Sequence, residues 1–360
     1  MKKSPAEVVE YWREQQAFPG AAYAYGSADK AVVGYCGSNT YEKDSRKIDE
    51  NSIFDLASMT KVVSTTSIAK IAVDAGEICL NDPISKFIPN TKIREATVQH
   101  LLLHNCGIAA YDSRIASSTR TPEEARRMIL DATPKTEPGE ATAYSCLGFI
   151  TLQTILEDVL AAPISTLFQK HVAEPLKLRA HFNPNKSLHK FCLPTGTAPK
   201  WRLDLAKTRN EGWAAEPYIQ ARVHDPIAYA MGGISGNAGL FATIEDCVKF
   251  AQAILGGKSL FAHHMDHWAK RHSEQSSRAL GWDTKSPTGS SAGKLFSLDS
   301  FGHTGYTGTC IWVDPKNMLF GVLLSNRVFP DDKSDKIMKC RPEFFDAVFT
   351  QFHENFMKNA

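Results

Sequence analysis

The sequence predicts an α+β protein: an antiparallel sheet flanked by helices and built from both termini, with an all-helical region inserted between its halves. Three observations carry this reading. Residues 21–26 and 31–37 read as two strands joined by a short polar turn, and residues 309–314 and 319–325 as two more around Pro315-Lys316-Asn317. Between them the spacing of apolar residues is mostly helical. Strands at both ends with helices in the middle imply one sheet closed by the two termini. The expected division is residues 1–55 with 237–360 for the sheet region and 56–236 for the insert.

In chain order, residues 6–18 form an amphipathic, charged helix, and polar residues 38–51 a loop. Residues 54–57 run from apolar to small side chains into a helical pattern that starts near Ser58 and ends at Gly76, a suitable C-cap. Further helices are expected over 96–104, 147–160 and 163–173. Another begins at Thr121, with Pro122 in the first turn. Residues 181–236, rich in Pro, Gly, Trp and charge, read as long structured loops. Thr243 opens a helix with a capping-box pattern, and residues 342–356 close the chain as a helix.

At 360 residues, with 43% hydrophobic and 22% charged residues, the chain supports a large globular core. A formal charge of +2 gives no electrostatic case for a nucleic-acid partner. No apolar run is long enough for a transmembrane segment. Eight scattered cysteines without a CxxC pair fit reduced, mostly buried thiols better than disulfides or a zinc site. No export signal is visible, so the cytoplasm is the default expectation, with the cell envelope or periplasm the alternative if a leader was removed. The oligomeric state is left open.

The chemistry starts at Ser58. Lys61 lies three residues on and shares its helix face. A serine hydroxyl needs a neighbouring base, and a lysine desolvated at a helix N-terminus has its charged form disfavoured and can supply one. Free N–H groups of the first turn can stabilise an oxyanion. Spacing alone proves little, because Ser27/Lys30, Ser67/Lys70, Ser187/Lys190 and Ser291/Lys294 repeat it. Two later stretches complete the constellation. In Tyr144-Ser145-Cys146 the tyrosine, near an ammonium, can be stabilised as phenolate and share the base role. In residues 302–308 (Gly-His-Thr-Gly-Tyr-Thr-Gly) the backbone can approach a substrate, with His303 and Thr304 as polar anchors.

These three motifs, in this order, resemble the serine β-lactamase and penicillin-binding-protein superfamily in its class C-like branch. Residues 54–58, His100-Leu101-Leu102-Leu103-His104 and residues 232–241 add to the resemblance, which covers nearly the whole chain. It implies a β-lactamase/transpeptidase-like fold with the active site between sheet and helical insert. It implies that Ser58 is acylated, Lys61 activates it and Tyr144 assists as base or acid. His303 and Thr304 would hold the substrate, often through a carboxylate, and Gly305 lies between them and the oxyanion hole. The N–H groups of Ser58 and Tyr306 would form that hole. Water would deacylate, with no metal or cofactor.

One departure bears on the substrate. The family's Tyr-x-Asn has Cys146 as its third residue, and a thiol serves poorly where an amide donates and accepts. His303, in place of a lysine, would make a carboxylate contact depend on pH near neutrality. Residues 222–226, 232–241 and 325–328 look like a subgroup that includes exo-acting muramyl-alanine amidases. Within it Arg327 would bind a substrate carboxylate and His224 would line the cleft. The expectation is a bacterial, penicillin-binding serine hydrolase acting on a small-molecule or peptide substrate, favourably a cell-wall fragment. The alternatives are a β-lactamase, a small-ester esterase, and a non-catalytic binding protein on the same fold.

Overall fold

The computed structural model describes residues 3–209, 211, 217–263 and 265–354. Its strands, in chain order among those residues, are β1 (Gly20–Gly26), β2 (Ala31–Gly37), β3 (Phe54–Asp55), β4 (His181–Phe182), β5 (Leu240–Ala242), β6 (Asp283–Thr284), β7 (Phe301–Thr304), β8 (Cys310–Asp314) and β9 (Leu319–Ser325). The main sheet has the order β2-β1-β9-β8-β7-β6, antiparallel throughout. The first strand of the chain therefore lies against the last, as expected, with Tyr23 opposite Leu323 and Ala24 opposite Val322.

Both faces of this sheet are covered. On β1, Ala22 and Ala24 point into the larger core and Ala21 and Tyr25 into the smaller one. On β9, Phe320, Val322 and Leu324 alternate with Leu319 and Leu323 in the same way. The smaller core is closed by the helices Pro5–Glu14 and Ile337–Phe352, tied by a hydrogen bond of 2.9 Å from Trp12 Nε1 to Glu343. The larger core holds the helix Ile244–Leu255 and the buried helix Cys146–Val159. Thr121 and Thr243 cap their helices as the sequence suggests, each in a reciprocal capping box. All eight cysteines are free thiols, and Cys79 alone is exposed.

The structure corrects the expected elements in four places. The segment after Ser58 is not one α-helix: a single 3₁₀ turn at Ala57–Met59 leads into a π-helix, Lys61–Thr66, and only Ser67–Asp74 is α-helical. Residues 181–236 contain the helices Lys200–Thr208 and Pro226–Ala230 as well as loops, although 210 and 212–216 fall outside the described residues. The first of these has no apolar stripe; its buried Arg202 donates to the carbonyls of Val223 and His224 instead. A small sheet, β3-β5-β4, has strands too short to show a period of two. The closing helix starts at Ile337, before Pro342. Among the described residues no single helix is long and apolar enough to cross a membrane.

Gly321, on β9, shows how tightly the smaller core is packed. A Cβ there would lie 2.8 Å from the ring of Phe345, which Phe296 and Phe344 hold edge-on. Gly321→Ala should therefore lower stability by about 1–3 kcal/mol in urea denaturation, overpacking outweighing the roughly 0.5–1 kcal/mol gained by removing a strand glycine. An unchanged or raised midpoint would contradict this packing.

Candidate active site

The turn that carries Ser58 is built on Asp55 at the end of β3. Its carboxylate accepts the N–H of Ala57 at 2.8 Å and that of His224 at 2.6 Å. Ala57 is held at φ +46°, a left-handed conformation costing about 1–2 kcal/mol for an L-residue. The turn is anchored from two other sides. Leu56 N–H reaches the carbonyl of Leu240 on β5 at 3.0 Å. Thr307 and Thr309 hydroxyls donate to the carbonyls of Asp55 and Leu56, at 2.7 and 2.9 Å. Ser58 follows directly.

Lys61 is fully buried, and its ammonium donates to Ser58 Oγ at 3.1 Å and the Asn237 carbonyl at 3.0 Å, with Cys146 Sγ at 3.7 Å. Three donors meet three acceptors, as a charged lysine requires. Burial disfavours that charge, but Cys146, Tyr144 and, further off, Asp225 outweigh it and hold the pKa above the ordinary lysine value. This corrects the expectation of a lysine whose charge is disfavoured. Tyr144 lies beside it, the ammonium 4.8 Å from the ring centroid. Burial pushes the Tyr144 phenol up, more than Lys61 draws it down. Burial likewise raises the Cys146 thiol. Near neutrality the group therefore holds an ammonium, a phenol and a thiol, not the phenolate expected from the sequence. The side-chain amide of Asn237 also faces Cys146.

The strand β7 brings His303 and Thr304 to the same place. His303 is buried, its ring 5.9 Å from that of Tyr144. Its Nδ1 lies 2.8 Å from the Thr304 carbonyl, which can only accept, so Nδ1 donates and Nε2 is left as an acceptor. Burial first, then Arg278 and Lys61, keep its pKa well below the ordinary histidine value. The expected pH dependence of a His303 contact near neutrality is thus corrected: the ring stays neutral. Gly305 is required by close approach, since a Cβ would sit 2.5 Å from the carbonyl of Leu56.

Ser58, Tyr144, His303, Thr304, Gly305 and Tyr306 line a cavity of about 450 Å³ together with Arg327. The Arg327 guanidinium, however, donates to the carbonyls of Tyr306, Asp332 and Ser334 and lies 4.4 Å from the Tyr306 ring centroid, so it shapes the rim rather than standing free. His224 stacks against Tyr306 at 5.9 Å and Cys146 touches Lys61; both stand behind the residues that line the cavity.

Two arginines that the sequence reading did not single out also line the cavity. Arg278 lies 5.0 Å from the Tyr144 ring centroid. Arg341, buried under the β7 turn, donates to the carbonyls of Gly305 and Thr309 at 2.7 and 3.0 Å. Among the described residues neither forms a salt bridge. Arg278 sits in an unpatterned loop, and no local signal marked it.

A serine beside a buried lysine, with a tyrosine and a His-Thr-Gly strand closing one cavity on this sheet-and-helix frame, defines a serine hydrolase. Residues 6–338 match the family model described as Beta-lactamase, and the chain belongs to that family. A relative from Salmonella typhimurium, provisionally named a D-alanyl-D-alanine carboxypeptidase, is 29% identical over 307 residues, covering 77% of this chain and 70% of its own. Two solved structures share the fold. EstCE1, a hydrolase with promiscuous acyltransferase activity, has a TM-score of 0.74 at 18% identity, covering 96% of this chain and 97% of its own. A class C β-lactamase from Rhodobacter sphaeroides has a TM-score of 0.72 at 14% identity, covering 96% and 98%.

Two titrations follow from these environments. Burial raises Asp55 to about 6. A carboxyl raised on folding contributes its stability below its unfolded pKa and loses it as pH rises through the folded value. From about pH 4 to pH 7 the wild type's stability margin over Asp55→Asn should therefore shrink by about 2 kcal/mol; a constant margin would refute the shift. With Lys61 and Tyr144 both raised, one proton must leave the pair before it can act as a base toward Ser58, the role the sequence motifs suggest. Ester hydrolysis should accordingly climb between about pH 7 and pH 10. A rate already flat from neutrality would contradict that.

Proposed function

We propose that the chain cleaves a peptide-like amide or ester bearing a carboxylate, of the kind peptidoglycan fragments present, through an acyl-enzyme on Ser58. The observation that carries the reading is one cation: Arg278 lines the catalytic cavity beside the Tyr144 ring without a salt-bridge partner among the described residues, while Arg327, Lys333 and Arg341 and the carboxylates Asp283, Asp332 and Asp335 make up the rest of its charged lining. A guanidinium without a counter-ion suits an anionic group and can bind it in bidentate fashion. The relative's carboxypeptidase name agrees with such a substrate.

Ser58 Oγ attacks the carbonyl while the deprotonated member of the Lys61–Tyr144 pair takes its proton. The backbone N–H groups of Ser58 and Tyr306 receive the oxyanion. The proton passes to the leaving group, and water, activated by the same pair, releases the acid. Thr304 and the neutral His303 orient the substrate, and Arg278 fixes its carboxylate. Cys146 in place of an amide weighs against proficient β-lactam turnover, because the thiol is a weak partner for a side-chain amide.

The test compares a carboxylate-bearing D-alanyl peptide with a neutral nitrophenyl ester, and follows intact mass after incubation with a penicillin. Ser58→Ala should abolish all turnover and any adduct. Arg278→Ala should raise KM for the peptide by about 10- to 100-fold, the loss of a charged hydrogen bond of roughly 1.5–3 kcal/mol, and leave the ester nearly unaffected. Equal losses on both substrates would remove Arg278 as carboxylate anchor. Turnover surviving in Ser58→Ala would end the acyl-enzyme reading. Rapid penicillin consumption would favour a β-lactamase, and binding without any hydrolysis a non-catalytic protein.

A further inference from the structure

His104 follows the short apolar helix Val98–Leu102 and is buried. It sits at φ +58°, a left-handed backbone that an L-residue adopts only where its surroundings hold it there. In that conformation the residue grips both neighbours of Tyr144. Its carbonyl accepts the N–H of Ala143 at 2.9 Å, and its Nδ1 accepts the N–H of Ser145, also at 2.9 Å. Its ring then lies 4.6 Å from the Tyr144 ring and stacks on Phe149 at 5.0 Å. Ala109 and Ala110 extend the grip, their carbonyls accepting from Ser145 Oγ and Cys146 N–H at 3.1 and 2.9 Å.

Tyr144 needs such a holder. Its buried hydroxyl makes no hydrogen bond of good geometry among the described residues, although Lys61 and Ser58 lie close enough to draw its pKa down. Its orientation therefore leans on its ring contacts, which His104 shares with His303, Lys61 and Arg278, and on its peptide, whose two neighbours His104 holds. The bond from Ser145 N–H also sets the tautomer: Nδ1 keeps its lone pair and Nε2 carries the proton. The charged and titratable groups facing His104 are Lys61 from the π-helix, Arg278 from the loop before β6, His303 on β7 and Tyr144 itself. The first two are cations, and His303 and the raised Tyr144 phenol are neutral, so none stabilises a second proton on the ring, and the acceptor at Nδ1 persists.

We propose that His104 is the positioning residue that aims the Tyr144 hydroxyl at Ser58 and Lys61, through its Nδ1 lone pair, its carbonyl and its ring. The inference rests on Tyr144 carrying a proton in the acylation of Ser58, so the test separates the two. The readout is the rate at which a fluorophosphonate probe labels Ser58, with kcat and KM for 4-nitrophenyl acetate alongside and the thermal midpoint as a control. Tyr144→Phe is the reference. His104→Phe keeps a ring but loses the acceptor. His104→Asn puts an oxygen where Nδ1 was and tolerates the left-handed backbone.

His104→Phe should slow labelling by on the order of 100-fold, through kcat with KM little changed, as a small misplacement of a catalytic group does. His104→Asn should recover about tenfold of that loss, and adding His104→Phe to Tyr144→Phe should cost little more, because the two residues act as a unit. Phe and Asn variants of equal rate, or losses that multiply, would overturn the proposal. Wild-type labelling in Tyr144→Phe would instead refute the proton role, and the aiming role with it. If His104→Phe does not fold, nitrogen NMR of the wild type decides: an unprotonated Nδ1 supports the clamp, and a protonated Nδ1 refutes it.

Discussion

Everything in the site hangs on one buried cation. The Lys61 ammonium has lost its water, and its three donors are met by Ser58 one turn away and by groups from two distant parts of the chain, Cys146 at the start of a core helix and Asn237 in the Gly-rich run before β5. A buried charge is tolerated only when its hydrogen bonds are made, and removing a partner leaves an uncompensated charge behind. The ammonium therefore fixes the spacing of the three segments more firmly than apolar packing alone could. It also explains the tight anchoring of the nucleophile turn by Asp55, Thr307 and Thr309: the lysine holds the site from within, and those contacts hold it from the sheet.

The same charge sets the electrical character of the cavity. His303 and His104 are kept neutral by burial and by the cations around them, so neither acts as a switch near neutrality. Arg278, Arg327, Lys333 and Arg341 line the cavity with positive charge, and Asp283, Asp332 and Asp335 with negative. Arg278 stands over the Tyr144 ring, 5.0 Å from its centroid.

Much of this was legible before the structure. The two hairpins show clean alternation, and pairing the ends of the chain follows from their placement. Ser58, Lys61, Tyr144 and His303 stood in three ordered motifs, and the chain folds all of them around one cavity. What stayed hidden depends on neighbours brought in by folding. Asp55 is a single acid between apolar residues until β3 carries it beneath Ala57 and His224. Arg278 lies in a loop with no pattern. The protonation of Lys61, Tyr144 and His303 was misjudged because burial and the partner charges that offset it come from remote segments. The π-helix was invisible because its residues, Lys61-Val62-Val63-Ser64-Thr65-Thr66, suit an α-helix equally well.

That π-helix has a geometric consequence for the whole molecule. Each residue of an α-helix turns the chain by about 100°, so one extra residue in a wider turn rotates everything after it by that angle without breaking the rod. Lys61 can thus face the cavity while Ile68, Ala69 and Ala72, a few residues later, face the large core. The inserted residue works as a phase adjuster between two surfaces that a uniform helix could not serve together. Its cost and its use are confined to one turn, and beyond Thr66 the rod continues as an ordinary α-helix packed into the core.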